Sequence, residues 1–211
     1  MKPVICMITD RHRLGPAAED ALVRRVAAAA RAGVHLVQVR ERDLDGGPLA
    51  RLVERCVGAV RGTRTRIVVN DRLDVALAAG AHGVHLRADS FLESRARPIV
   101  PSGFLIGRSV HSVAEAAGAD ADYLMFGTVF PSASKPGRIA TGVGALADVV
   151  AATTAPVLAV GGVACDTAPA IAQAGAAGVA GIDLFASGAD DGLQVLVSTL
   201  NMAFDTLTRL P

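Results

Sequence analysis

The chain has 211 residues, 51% of them hydrophobic, 19% charged and 3% aromatic, which is enough apolar mass for one large core and leads us to expect a single domain over 1–211. With 21 basic against 20 acidic residues the formal charge is +1, so no global field draws the chain to nucleic acid or to an anionic membrane. One tyrosine and no tryptophan argue against a stacking platform for single strands or sugars.

Short apolar runs recur along the chain at Val4 to Ile8, Val34 to Val39, Arg66 to Val69, Gly83 to Leu86, Phe104 to Ile106, Tyr123 to Phe126, Val157 to Val160 and Gly178 to Ile182. Each reads as a buried strand. Between them lie alanine-rich stretches with helical spacing: Ala17 to Ala32, Pro48 to Val60, Leu73 to Ala79, Val113 to Gly118, Gly144 to Ala152, Thr167 to Ala174 and Leu193 to Leu207. Gly33, Gly80, Gly118 and Gly175 sit where left-handed caps would end a helix before the next strand. Eight strand–helix units with near-continuous apolar strands and no reversal of order predict a parallel sheet closed into a (β/α)8 barrel.

In such a barrel the polar residues at the C-terminal strand ends line one mouth. Here they are Thr9 and Asp10, then Gln38, Arg40, Glu41 and Arg42, then Asn70 and Asp71, then His85, Arg87 and Asp89. Arg108, Ser109 and His111 follow strand 5, Ser132, Ser134 and Lys135 follow strand 6, Gly161 and Gly162 follow strand 7, and Asp183 follows strand 8. Gln38 and Arg40 share one side of their strand. Arg40 either pairs with Glu41 or Asp10, or joins Arg42 in gripping a phosphate or diphosphate. Asn70 and Asp71 either cap the helix near Leu73 or ligate Mg²⁺ or an amine. The pair Gly161-Gly162 is either a tight turn or a phosphate nest, and Lys135 closes an anion cradle with Ser132 and Ser134. His85 and His111 are structural residues or acid–base groups. The spacing of the histidines does not support zinc. Cys6, Cys56 and Cys165 show no metal or redox spacing, and no signal peptide is visible, which points to a reducing cytoplasm. No apolar run reaches the ~18 residues of a membrane span.

Several of these segments, in this order, resemble the thiamine phosphate synthase and TenI superfamily over essentially the whole length. They are Ile8-Thr9-Asp10, Val37 to Arg42, Val69 to Arg72, Gly83 to Leu86, Ile106 to Ser112, Phe126 to Gly137, and Gly161-Gly162. The resemblance implies a dimeric (β/α)8 barrel that handles thiazole phosphate. For the synthases it implies an alkyl-pyrimidine diphosphate held at Gln38, Arg40, Asn70 and Asp71. It also implies Mg²⁺ held by Asp71 and by a second aspartate after strand 4. Arg42 stands where that pattern has lysine, and Ser90 stands at the second aspartate, with Asp89 beside it. The TenI branch is similar at Ser90-Phe91, at Ile106 to Ser112 and at Phe126 to Phe130. Its tautomerases shift one proton on a carboxythiazole phosphate without metal, and their histidine is Thr128 here.

The first expectation is therefore a TenI-like thiazole tautomerase without cofactor. The alternative is a thiamine phosphate synthase using Mg²⁺ at Asp71 and Asp89, and a third is a non-catalytic ligand-sensing barrel. Gln38, Arg40, Asn70, Ser109 and Lys135 are the expected catalytic set. Arg42, Asp71, Thr128, Ser132, Ser134, Gly161, Gly162 and Asp183 are the expected substrate and phosphate contacts. The expected partner is a phosphorylated thiazole, with no nucleic acid and no membrane, in a cytoplasmic homodimer.

Overall fold

In the computed structural model, residues 3–15, 18–132, 137, 139–186 and 190–205 are described. Eight parallel strands close in chain order: β1 (Val4–Ile8), β2 (Leu36–Val39), β3 (Arg66–Asn70), β4 (Gly83–Leu86), β5 (Leu105–Val110), β6 (Tyr123–Phe126), β7 (Val157–Val160) and β8 (Gly178–Gly181), with β8 returning to β1. The outer ring is α1 (Ala18–Arg31), α2 (Gly46–Ala59), α3 (Leu73–Ala78), α4 (Glu93–Ala96), α5 (Val113–Ala117), α6 (Gly142–Ala151), α7 (Ala168–Gln173), α8 (Asp183–Ala186) and α9 (Gly192–Asp205). A 3₁₀ turn at Arg11–Leu14 follows β1. The single-turn helices α4 and α8 are absent from the periodicity because four residues cannot display a helical repeat.

Alternation along the strands divides the core in two. One set packs between strands and helices, and includes Val37, Val39, Ile67, Val69, Val84 and Ile106. The other fills the barrel interior with Cys6, Ile8, Leu36, Val68, Tyr123, Met125, Leu158 and Ala180. Interior space is rationed: a Cβ on Gly107 would lie 2.1 Å from the Tyr123 ring carbon Cζ, so only glycine admits that ring. Above this plug the inward positions turn polar, which makes the cup described below.

The structure lengthens strand 5. Its ladder pairs Leu86 with Arg108 on one side and Ser109 with Met125 on the other, so Arg108 and Ser109 lie within β5 rather than after it. The apolar run ends at Ile106, where Gly107, Arg108 and Ser109 follow, yet the barrel needs a strand there to close. Gly33, Gly80 and Gly175 do take positive φ after their helices, whereas Gly118 does not, with φ −91.

No helix among the described residues is long and apolar enough to cross a membrane. The thiols of Cys6 and Cys56 are buried and free, and burial pushes Cys56 up to about 12.

Candidate active site

The C-terminal ends of the strands enclose a cavity of about 820 Å³, lined among others by Gln38, Arg40, Arg42, Asn70, Arg87, Asp89, Ser109, His111, Ser132, Gly161, Gly162 and Asp183. With Asp10 and Arg13 after β1, residues from all eight strand ends, far apart in sequence, thus meet at one mouth.

The β2 end is built on a buried carboxylate. Glu41 accepts hydrogen bonds from Thr9 Oγ1 at 2.5 Å and from the Arg11 backbone N–H at 3.1 Å, and Arg11 Nη1 lies 3.2 Å from it. Thr9 Oγ1 in turn accepts the Arg40 N–H at 2.9 Å. Glu41 is therefore consumed by β1 and its turn. The Arg40 and Arg42 guanidiniums have neither ion pair nor hydrogen bond among the described residues, so the internal salt bridge considered for Arg40 does not form. Burial, then the charge of Arg42, lowers the pKa of Arg40, an arrangement an anion would relieve. Beside it Gln38 Nε2 donates to Asn70 Oδ1 at 3.1 Å, which leaves the Asn70 amide hydrogens for a ligand.

Asp71 does not cap α3; the cap position is Arg72, with no side-chain capping bond. Its backbone is left-handed, φ 57, a conformation tolerated by aspartate. The Ser90 hydroxyl donates to Asp71 Oδ1. Arg87 Nη1 lies 3.8 Å from Asp71 Oδ2, and Arg87 Nη2 lies 2.5 Å from Asp89 Oδ2. A guanidinium thus already stands against both carboxylates expected to hold Mg²⁺, and repels a divalent cation there. No group of three or more His, Cys, Asp or Glu residues that could hold a metal on protein ligands alone gathers among the described residues. Asp71 and Asp89, as arranged, do not fit a Mg²⁺ site, because the ligand pattern ends in Ser90 and an arginine fills the gap.

Arg108 does not face the cavity. It runs outward from β5, pairs with Glu93 at 2.5 Å and donates to the carbonyls of Arg87, Ala88 and Phe91. It is the anchor of the β4–α4 loop. Strand alternation carried this signal, since Ser109 faces inward and its neighbour must then face the helices.

His85 is buried inside β4, with Tyr123 Oη 3.1 Å from Nδ1 and Ser109 Oγ 2.9 Å from Nε2. Burial, assisted by the Arg108 charge, pushes the imidazole down from 6.5 to about 3. It is a neutral brace for Ser109. Above 6.5 the folded and unfolded chains are both neutral here. As pH falls from 6.5 toward 3 only the unfolded chain binds the proton, so stability drops by about 1.4 kcal/mol per pH unit. Denaturant unfolding at pH 7, 6 and 5 should show that extra acid sensitivity in the wild type relative to His85→Gln. Parallel curves would contradict it. His111, at the rim, places Nδ1 2.9 Å from the Gly127 carbonyl, so Nδ1 carries the proton and donates, leaving Nε2 as an acceptor.

At the opposite wall Gly161 and Gly162 both take positive φ, 94 and 62. No hydrogen bond within the described residues uses the N–H of Gly162 or Val163, which leaves them for an anion. The β6 loop braces this turn: Phe130 N–H donates to the Gly161 carbonyl at 3.0 Å. Thr128, expected as a substrate contact, is buried at 2% exposure and does not line the cavity. A Cβ on Gly161 would fall 2.6 Å from its methyl, so Thr128 is packed behind the glycine turn, its hydroxyl without a partner among the described residues. Ser132 lines the cavity, while Ser134 and Lys135 lie outside the described residues. Asp183 lines it too, but its carboxylate is taken by Arg13, which also bonds Asp10 at 3.1 Å. A carboxylate repels phosphate; Arg13, which no sequence motif marks, is a cation on that rim among the described residues.

A family model described as thiamine monophosphate synthase matches residues 5–185. The chain belongs to that family. A thiamine-phosphate synthase of Chlorobium luteolum is 36% identical over 182 residues, covering 84% of this chain and 82% of the relative. A putative thiamine-phosphate synthase of Geobacter sulfurreducens is 41% identical over 181 residues, with 82% of each covered. Among solved structures, a thiamine phosphate pyrophosphorylase of Pyrococcus furiosus superposes with a TM-score of 0.81 at 29% identity, covering 96% of both chains. The family places this barrel in thiamine biosynthesis.

Proposed function

We propose that this chain is a thiamine phosphate synthase, joining a hydroxymethylpyrimidine diphosphate to a thiazole phosphate with release of pyrophosphate. The observation that carries this reading is a cavity with anion-binding groups at both ends, and the buried imidazole that lines it, His85, is held neutral by burial. Arg40 and Arg42 stand unpaired among the described residues at one wall, and the free N–H groups of Gly162 and Val163 at the other. One end suits a diphosphate and the other a monophosphate.

The chemistry asks for little else. The bond from the pyrimidine methylene carbon to the diphosphate oxygen breaks, and its electron pair leaves with pyrophosphate. The thiazole nitrogen lone pair then closes on that carbon. No proton has to move, so a neutral His85 and a threonine at position 128 cost the reaction nothing. Gln38 and Asn70, joined by their own hydrogen bond, face the same wall as Arg40 and orient the pyrimidine end. Cations at the leaving oxygen supply the main stabilisation.

The relatives named above support this reading over the tautomerase expected first. One observation favours the second reading: His111 offers its Nε2 at the cavity rim, a basic nitrogen placed to shift a proton. The experiment runs both reactions on the purified chain. Pyrimidine diphosphate plus thiazole phosphate should yield thiamine phosphate and equimolar pyrophosphate, with the carboxythiazole tautomer left unchanged. Tautomer turnover with no pyrophosphate would reverse the assignment.

A further inference from the structure

The β4–α4 loop is built more firmly than a cavity rim requires. Arg108, buried, fixes three of its carbonyls, and Ser90 Oγ accepts the Arg87 N–H at 3.0 Å. The turn is closed again by the Ser90 N–H on the Arg87 carbonyl at 3.2 Å. All of this holds the backbone of Arg87 in place while leaving its side chain half-exposed on the cavity.

The guanidinium's own partners are weak ones. Asp89 is an exposed carboxylate, and Asp71 lies at 3.8 Å with its other oxygen committed to Ser90. Exposed pairs of this kind contribute little. A diphosphate offers the same guanidinium a two-pronged acceptor of higher charge inside a cavity, which is the stronger bond. Arg87 also stands between the two carboxylates that would otherwise draw in a divalent cation.

Resting on the synthase reading of the cavity, we propose that Arg87 completes an arginine cradle with Arg40 and Arg42 that grips the diphosphate without a bound metal. Its positive charge then meets the negative charge that develops on the leaving oxygen as the carbon–oxygen bond breaks. Asp89 and Asp71 park the side chain when the cavity is empty, and Ser90, at the place of a second metal aspartate, shapes the turn.

The test titrates inorganic pyrophosphate into the full chain by calorimetry, once in EDTA and once in millimolar Mg²⁺. The wild type should bind one pyrophosphate in EDTA, and Mg²⁺, which competes for pyrophosphate in solution, should not strengthen that binding. Arg87→Ala and Arg87→Gln should each weaken binding in EDTA on the order of tenfold to a hundredfold, with unchanged thermal midpoints. Asp89→Asn should bind at least as tightly as the wild type, because it frees the guanidinium. Pyrophosphate bound only with Mg²⁺, no binding under either condition, or wild-type affinity in both Arg87 variants would each overturn the cradle. The synthase reading fails on a different result: pyrophosphate bound in EDTA by a chain that makes no thiamine phosphate sinks that reading and leaves the cradle standing. Strictly Mg²⁺-dependent synthesis untouched by Arg87→Ala does the reverse.

Discussion

Replacing Gly162 with alanine is expected to cost roughly 2–5 kcal/mol of stability and to weaken thiazole phosphate binding by a factor of ten or more. Two costs add. At φ 62 an L-residue takes on left-handed strain of about 1–2 kcal/mol. The new Cβ would also lie 2.4 Å from the Pro131 carbonyl oxygen and 2.6 Å from the Phe130 Cβ, both on the loop that braces the phosphate wall. Neither is the end of a flexible side chain, so the loop backbone has to retreat and the nest loses its shape. Gly80→Ala is the matched control, because φ is 63 and nothing lies within 4 Å of the added carbon. Denaturant unfolding of both variants separates strain from packing, and thiazole phosphate titration reads the nest. Equal losses in the two variants, or intact binding in Gly162→Ala, would contradict the close approach of the two loops.

Arg40→Met should lower kcat/KM by about 10²–10³ while leaving the thermal midpoint unchanged or raised. Arg40 is held by its backbone N–H on Thr9 and presents a half-buried charge with no ion pair among the described residues, beside the like charge of Arg42. Removing it relieves the free protein and deprives the leaving group of its nearest counter-charge on β2. Arg40→Lys should recover only part of the rate, since an ammonium cannot grip two oxygens as a fork. Steady-state kinetics with both substrates and a melting curve decide the matter. A large fall in thermal midpoint would instead make Arg40 a structural ion-pair partner.

Much of the barrel was legible because its signals are local. The alternation of apolar runs and alanine-rich helices needs no tertiary knowledge, and it located all eight strands, β5 apart from its polar half. Gln38, Asn70, Ser109 and Gly161-Gly162 were found by the same means, as polar or glycine breaks at the end of an apolar strand, and the cavity gathers them. Arg108 was misplaced because a strand that stays polar for two residues looks like a loop until its neighbours are known. Thr128 follows a strand end as a substrate contact would, yet the turn after β6 folds it behind Gly161.

What the sequence determined by itself is the closed eightfold barrel and the ring of residues at its mouth, since a repeat of strand and helix admits few other ways to bury its apolar faces. Which of those charges remain open to a ligand was decided only by closure. Arg13 reaches Asp183 across 170 positions of sequence, and Ser90 reaches Asp71 across 19. Such partners come together because parallel strands bring every βα loop to one rim. The same contacts left Arg40 and Arg42 unpaired among the described residues and put Arg87 between the two carboxylates. A charge in a list of residues has no partner until the fold supplies one.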